Sequence, residues 1–161
     1  LVQWGDTSVS QRNGFPNDAS TYIAVSAGAT HTLALRSDGS LAQWGNTSSG
    51  QAAGAPLAAG PYIAIAAGTT HNLALRADGS LVQWGDTSFG QLDNAPTMTG
   101  PYVAIAAGTM HSMALKADGT LVQWGRTNAG QLDDAPSFAG PFRSIVCGGY
   151  HSLAITGVPT S

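Results

Sequence analysis

One spacing governs this chain, and it is 40 residues. Trp4, Trp44, Trp84 and Trp124 repeat at that interval, as do His31, His71, His111 and His151. Gln11, Gln51, Gln91 and Gln131 follow it too, and so do Pro16, Pro56, Pro96 and Pro136. The 161 residues therefore divide into units 1–40, 41–80, 81–120 and 121–160 with no insertion, and they are expected to form one domain over 1–161. Units 41–80 and 81–120 agree at 25 of 40 positions, which points to duplication of one structural element.

Each unit reads as three strands. In the second, the first strand is Tyr62 to Gly68, alternating and β-branched before it turns small. The next is His71 to Arg76, with Leu73 and Leu75 on one face, and the third is Leu81 to Gly85. Ala77 to Ser80 joins the last two, and Asp78-Gly79 is a hairpin signal because such turns need positive φ. The 16-residue connector from Asp86 to Pro101 is long enough to cross the unit's height, with room for an irregular fourth strand. A period of about 40 with several short antiparallel strands is the signature of an all-β β-propeller, here four blades. The small residues Ala66, Ala67 and Gly68 suit an innermost strand, where blades converge.

Composition agrees with an all-β chain. Glu is absent and Lys116 is the only lysine, so the usual filling of exposed helix faces is missing. Twenty-one glycines and eight prolines mark turns, while 43% hydrophobic residues argue against disorder. A net charge of −3 with six dispersed basic residues argues against nucleic acid as a partner. No apolar run is long enough for a membrane span, and "LVQWGDTS" has no basic or apolar leader pattern. Cys147 is the single cysteine and is expected as a small buried apolar residue without a disulfide.

The unit "IAAGTTHNLALRADGSLVQWGDTSFGQLD" resembles the repeat of the regulator of chromosome condensation family through its AxGxxHxxAL…DGxLxxWGxxxxGQ pattern. The short units are most similar to compact bacterial members, which include a secreted β-lactamase inhibitor. The resemblance implies a propeller that binds partners rather than a particular function, because the fold serves unrelated ones. A bacterial extracellular or cell-surface setting is expected on the same ground. Three departures stand out. Such rings usually have seven blades and this chain has four units. Ser10 replaces the glycine of its siblings Gly50, Gly90 and Gly130, and "AITGVPTS" replaces the Asp-Gly turn in the last unit.

Leu1–Gly5 reads as a third strand without its first two, and Phe142 to Ile155 as two strands without a third. Unpaired edges are a liability, so the terminal blade is expected to be completed by strand exchange. Blade-to-blade rotation is about 51° in a seven-bladed ring, about 45° in one of eight and about 90° in one of four. A homodimer forming an eight-bladed ring is therefore preferred. A closed four-bladed monomer, a piece of a longer ring and an open head-to-tail assembly are the alternatives.

A ring of four His invites a metal, yet no carboxylate or thiolate accompanies it and the His lie one per blade. His31, His71, His111 and His151 are read as structural, as are Trp4, Trp44, Trp84 and Trp124 as packing anchors. Asp38, Asp78 and Asp118 are turn residues rather than calcium ligands, since each turn offers one carboxylate. Asp133-Asp134 reads as a solvated loop, and Asn46-Thr47-Ser48 is a glycosylation sequon relevant only in a secretory host. No catalytic motif, cofactor or metal site is expected, and the chain is not read as an enzyme. Nucleotide exchange on a GTPase is not expected either, because no insertion protrudes from the units.

Binding residues are sought where the copies differ. Thr30 and Thr70 become Met110 and Tyr150, Ser49 becomes Phe89, and the connectors carry Met98 and Phe138. Strand parity places Phe89, Met110 and Tyr150 on one face, the top, where aromatic and Met side chains mark interaction surfaces. The first functional expectation is a non-enzymatic scaffold that binds a protein or surface polymer there. The others are a self-assembling structural module and a multivalent sugar or small-molecule binder with one pocket per blade.

Overall fold

The computed structural model describes residues 1–57, 60–96, 100–126, 130–133 and 140–157. Its strands are β1 (Tyr22–Ala27), β2 (His31–Arg36), β3 (Leu41–Gly45), β4 (Tyr62–Ala67), β5 (His71–Arg76) and β6 (Leu81–Gly85). They continue with β7 (Tyr102–Ala107), β8 (His111–Lys116), β9 (Leu121–Gly125), β10 (Phe142–Cys147) and β11 (Ser152–Thr156). These make three antiparallel sheets, β1-β2-β3, β4-β5-β6 and β7-β8-β9, and a two-stranded sheet β10-β11. Over their described residues the connectors hold turns, with no fourth strand.

Registers repeat with the sequence. His31 faces Gly45, His71 faces Gly85 and His111 faces Gly125. A bulge follows Tyr22, Tyr62, Tyr102 and Phe142, where two residues oppose one. The first strands follow one another from β1 to β4 to β7 to β10, the inner side of the blade stack.

The turn between the second and third strands differs in detail from the mirror-image hairpin turn. Gly39 N–H donates to Arg36 O at 2.9 Å and only the glycine adopts positive φ, at 82°. This is a type I turn followed by a left-handed residue, a three-residue loop that glycine closes without steric cost. Asp38 fixes it by accepting from Ser40 N and Oγ at 2.9 and 2.7 Å. Asp78 does the same with Ser80.

Sheets meet face to face with complementary sizes. Leu33, Leu35 and Leu41 pack on Tyr62, Ala74 and Trp84 of the next unit. Leu73, Leu75 and Leu81 pack on Tyr102, Ala114 and Trp124. Large side chains on one face thus meet Ala and Trp on the other, which leaves the middle strands β2, β5 and β8 buried on both faces. Unit one offers Ala34, Ala42 and Trp44 to Phe15 and Tyr22, with the Phe15 and Trp44 rings edge to face at 5.7 Å.

Ser10 stands at φ 63° where Gly50 and Gly90 stand at 79° and 75°. An L-residue there costs about 1–2 kcal/mol, offset partly by the greater unfolded-state freedom of glycine. Ser10→Gly is expected to stabilise the chain by about 0.5–1 kcal/mol in urea unfolding. A loss of stability would show that the Ser10 side chain contributes more than its backbone costs.

The blade expected from joining the two unfinished units is not formed within the chain. Among the described residues, Leu1–Gly5 forms no strand and β11 pairs only with β10. The anchoring expected of Trp4 is absent for the same reason. It is 82% exposed, because no sheet covers the side of Leu1–Gly5 on which it lies.

Candidate functional site

Each internal His ties one unit to the next. The rings of His31, His71 and His111 are buried, and Gly28, Gly68 and Gly108 approach them so closely that a Cβ on any of the three would collide with the ring. Nε2 of His31 lies 2.6 Å from Asn72 Oδ1, that of His71 2.9 Å from Ser112 Oγ, and that of His111 3.0 Å from Ser152 Oγ. Asn72 Nδ2 donates to Gln51 O at 2.8 Å, so Oδ1 faces His31 and the imidazole carries its proton on Nε2. The Nδ1 atoms of all three are buried without a hydrogen bond. Burial lowers the proton affinity of His31, His71 and His111, most for His71, which falls to about 4. They are neutral at pH 7 and lie one per blade. Among the described residues no three His, Cys, Asp or Glu come together to hold a metal ion. His151 differs in being exposed, with no further sheet packed on β11 among the described residues.

The tryptophans form a second ladder. Nε1 of Trp44, Trp84 and Trp124 donates to Oε1 of Gln3, Gln43 and Gln83 in the preceding unit, at 3.0, 3.1 and 2.9 Å. The periodic glutamines make a third. Gln51 and Gln91 are buried, accept from Ser49 N and Phe89 N, and donate to Thr30 Oγ1 and Thr70 Oγ1.

The third sheet, β7-β8-β9, breaks this polar pattern at its ends. At the position of Thr30 and Thr70 stands Met110, and at that of Asp6, Asn46 and Asp86 stands Arg126. Asp6, Asn46 and Asp86 cap their own turns by accepting from Ser8, Ser48 and Ser88 N–H. Arg126 instead lies over the Phe89 ring, its guanidinium carbon 5.7 Å from the centroid. Its Nη1 lies 3.0 Å from Met110 Sδ, and its N–H donates to Met110 O. Phe89 and Met110, which strand parity places on one face, are thus joined by Arg126, a residue outside that expected set. The signal was present, as the one position in the series Asp6, Asn46, Asp86, Arg126 where the charge reverses.

Phe89 is 53% exposed and Tyr150 is 60% exposed. Tyr150 holds the station of Met110 one unit on, beside Gly130, Gln131 and Asp133. Met98 and Phe138 lie outside the described residues. Cys147 is half-buried rather than enclosed, because no unit packs beyond β10, although burial still pushes its thiol up to about 11. The bulges expose Ile23, Ile63 and Val103, an apolar series that the alternation rule alone does not reveal.

The profile of the regulator of chromosome condensation (RCC1) repeat matches residues 22–51 and 62–91. No curated protein sequence matches the chain. Among solved structures, the ectodomain of the Physcomitrella patens receptor kinase CR4 is 26% identical with a TM-score of 0.72, over 88% of this chain and 40% of that one. The CRINKLY WD40 ectodomain of the Arabidopsis thaliana receptor kinase ACR4 is 25% identical with a TM-score of 0.68, over 84% and 46%. Yeast RCC1 (Prp20), solved bound to Kap60, is 24% identical with a TM-score of 0.69, over 88% and 43%. The chain thus spans less than half the length of each.

Proposed function

We propose, from the match of residues 22–51 and 62–91 to the RCC1 repeat and from the likeness of the blades to those of RCC1-like propellers, that the chain is a non-enzymatic scaffold that binds another protein through its top face. Such propellers are commonly protein-binding scaffolds, and yeast RCC1 was solved with a protein partner. The observation that carries the reading is the cluster of Phe89, Arg126 and Met110, where three copies' worth of polar capping gives way to an exposed aromatic, a guanidinium and a thioether. Aromatic and Arg side chains dominate binding energy at protein interfaces, and a stacked Arg is already ordered for contact. Tyr150 extends the surface by one blade.

The test is a partner retained from cell extract on the immobilised chain, then measured by calorimetry against variants. Phe89→Ala and Arg126→Ser are each expected to weaken binding about tenfold or more, with unchanged melting curves. A partner held equally well by both variants would sink the top-face reading.

A further inference from the structure

We propose that Asn13 is a site of spontaneous covalent modification, in which the main-chain nitrogen of Gly14 displaces the Asn13 side-chain amide and water opens the resulting ring to aspartate or isoaspartate.

Asparagine is thermolabile because its Cγ can close a five-membered ring with the nitrogen of the next residue. A glycine in that place permits the approach, since it has no Cβ. Asn13-Gly14 is the only Asn-Gly pair in the chain. Its turn leaves both reacting groups free. Asn13 N–H donates to Ser10 O at 3.1 Å and Phe15 N–H to Arg12 O at 3.3 Å, which closes the turn without Gly14 N–H. Among the described residues neither that N–H nor the Asn13 side chain makes a hydrogen bond, and both residues are exposed. The exposure belongs to the turn, because Ala53, Gly54, Asp93 and Asn94 are exposed at the same stations of the next two copies.

The three Asp-Gly pairs could close the same ring with loss of water, but there both groups are occupied. Gly39, Gly79 and Gly119 N–H donate to Arg36, Arg76 and Lys116 O at 2.9, 3.0 and 3.0 Å. Asp38, Asp78 and Asp118 accept from Ser40, Ser80 and Thr120 N–H. Those bonds hold the carboxylates ionised, and an ionised carboxylate is a poor electrophile. Structure thus separates one reactive turn from three protected ones.

In the reaction the Gly14 nitrogen gives its proton to hydroxide and bonds to Asn13 Cγ. The Cγ–Nδ2 bond breaks, and that nitrogen leaves as ammonia with a proton from water. Water then adds to the cyclic imide. Breaking the new Cγ–N bond leaves aspartate, and breaking the original main-chain bond leaves isoaspartate, with the chain rerouted through Cγ. Either product adds one negative charge. Aspartate suits the turn: Asp93 stands at this station and accepts from Gly125 N–H at 3.1 Å, as Asn13 O accepts from Gly45 N–H at 2.9 Å. Isoaspartate lengthens the chain by a methylene just before Phe15, whose ring packs edge to face on Trp44.

The test is to age the folded 161-residue chain in warm buffer at pH 8.5, digest it, and read the peptide carrying Asn13 by mass and by labelling with an isoaspartyl methyltransferase. Conversion of the amide to the acid is expected over days, about tenfold or more faster than at pH 5.5, because the attacking nitrogen must lose its proton. Asp38, Asp78 and Asp118 are expected to give no isoaspartate in the folded chain. Asn13→Asp, made directly, is expected to unfold at the same urea concentration as the fresh parent, and the isoaspartate fraction of the aged chain at a lower one. An Asn13 that keeps its amide in the folded chain while losing it in the urea-unfolded chain overturns the proposal. So does isoaspartate at the Asp-Gly turns to the same extent as at Asn13.

Discussion

Trp124→Ala is expected to destabilise the chain by about 3–5 kcal/mol, measured by urea unfolding at fixed protein concentration. The indole is 1% exposed and lies among Leu73, Leu81 and Ala114, on the joint between the second and third sheets. Truncation removes that packing and also leaves Gln83 Oε1 without its donor. Trp124→Phe separates the two effects, since it keeps most of the apolar contact and loses the hydrogen bond. A loss of about 1–2 kcal/mol is expected for it. If Trp124→Ala cost under about 1 kcal/mol, the joint would not depend on the Leu-on-Trp packing described above.

Acid is the second large effect. Burial lowers the proton affinity of His71 from an ordinary 6.5 to about 4, with the fields of His111 and His31 acting in the same direction. Between these values the unfolded chain takes up a proton that the folded chain refuses, so stability is full above about pH 6.5 and falls as pH falls. The difference corresponds to about 3 kcal/mol from His71 by the time pH 4 is reached. His31 and His111 add to the loss, because burial lowers both. The turn aspartates, whose affinities are lowered by their Ser and Thr partners, act only below their ordinary value of 3.8, outside this window. Unfolding free energies at pH 7.5, 5.5 and 4.5 are the measurement. A flat profile over that range would mean that the imidazoles titrate freely in the folded chain.

The copies of the repeat made much of this protein legible before any coordinates. Strands at His71–Arg76 and Leu81–Gly85 follow from alternation and from the Asp-Gly turn, which are properties of a few adjacent residues. The candidate surface was half legible. Phe89 and Met110 stood out as letters that change between copies, but their meeting depends on Arg126, 37 and 16 residues away, and on the closeness of two different sheets. The periodic glutamines were visible as a series, yet their work as bridges from connector to inner link appears only when Thr30 and Thr70 are seen against them.

The sequence by itself determined the unit, its three strands, and which side chains share a face outside the bulge that opens each first strand. Those features are set by local chemistry: turn glycines, alternation and a Trp at fixed distance from a His. Tertiary structure alone decided which of these faces is covered. The five letters Leu-Val-Gln-Trp-Gly occur at 1–5, 81–85 and 121–125, yet the Trp is buried in the last two and exposed in the first. Burial is not a property of the letters. It needs a neighbouring sheet in the right place: Trp124 has Leu73, Leu81 and Ala114 against it, and Trp4 has no sheet against it among the described residues.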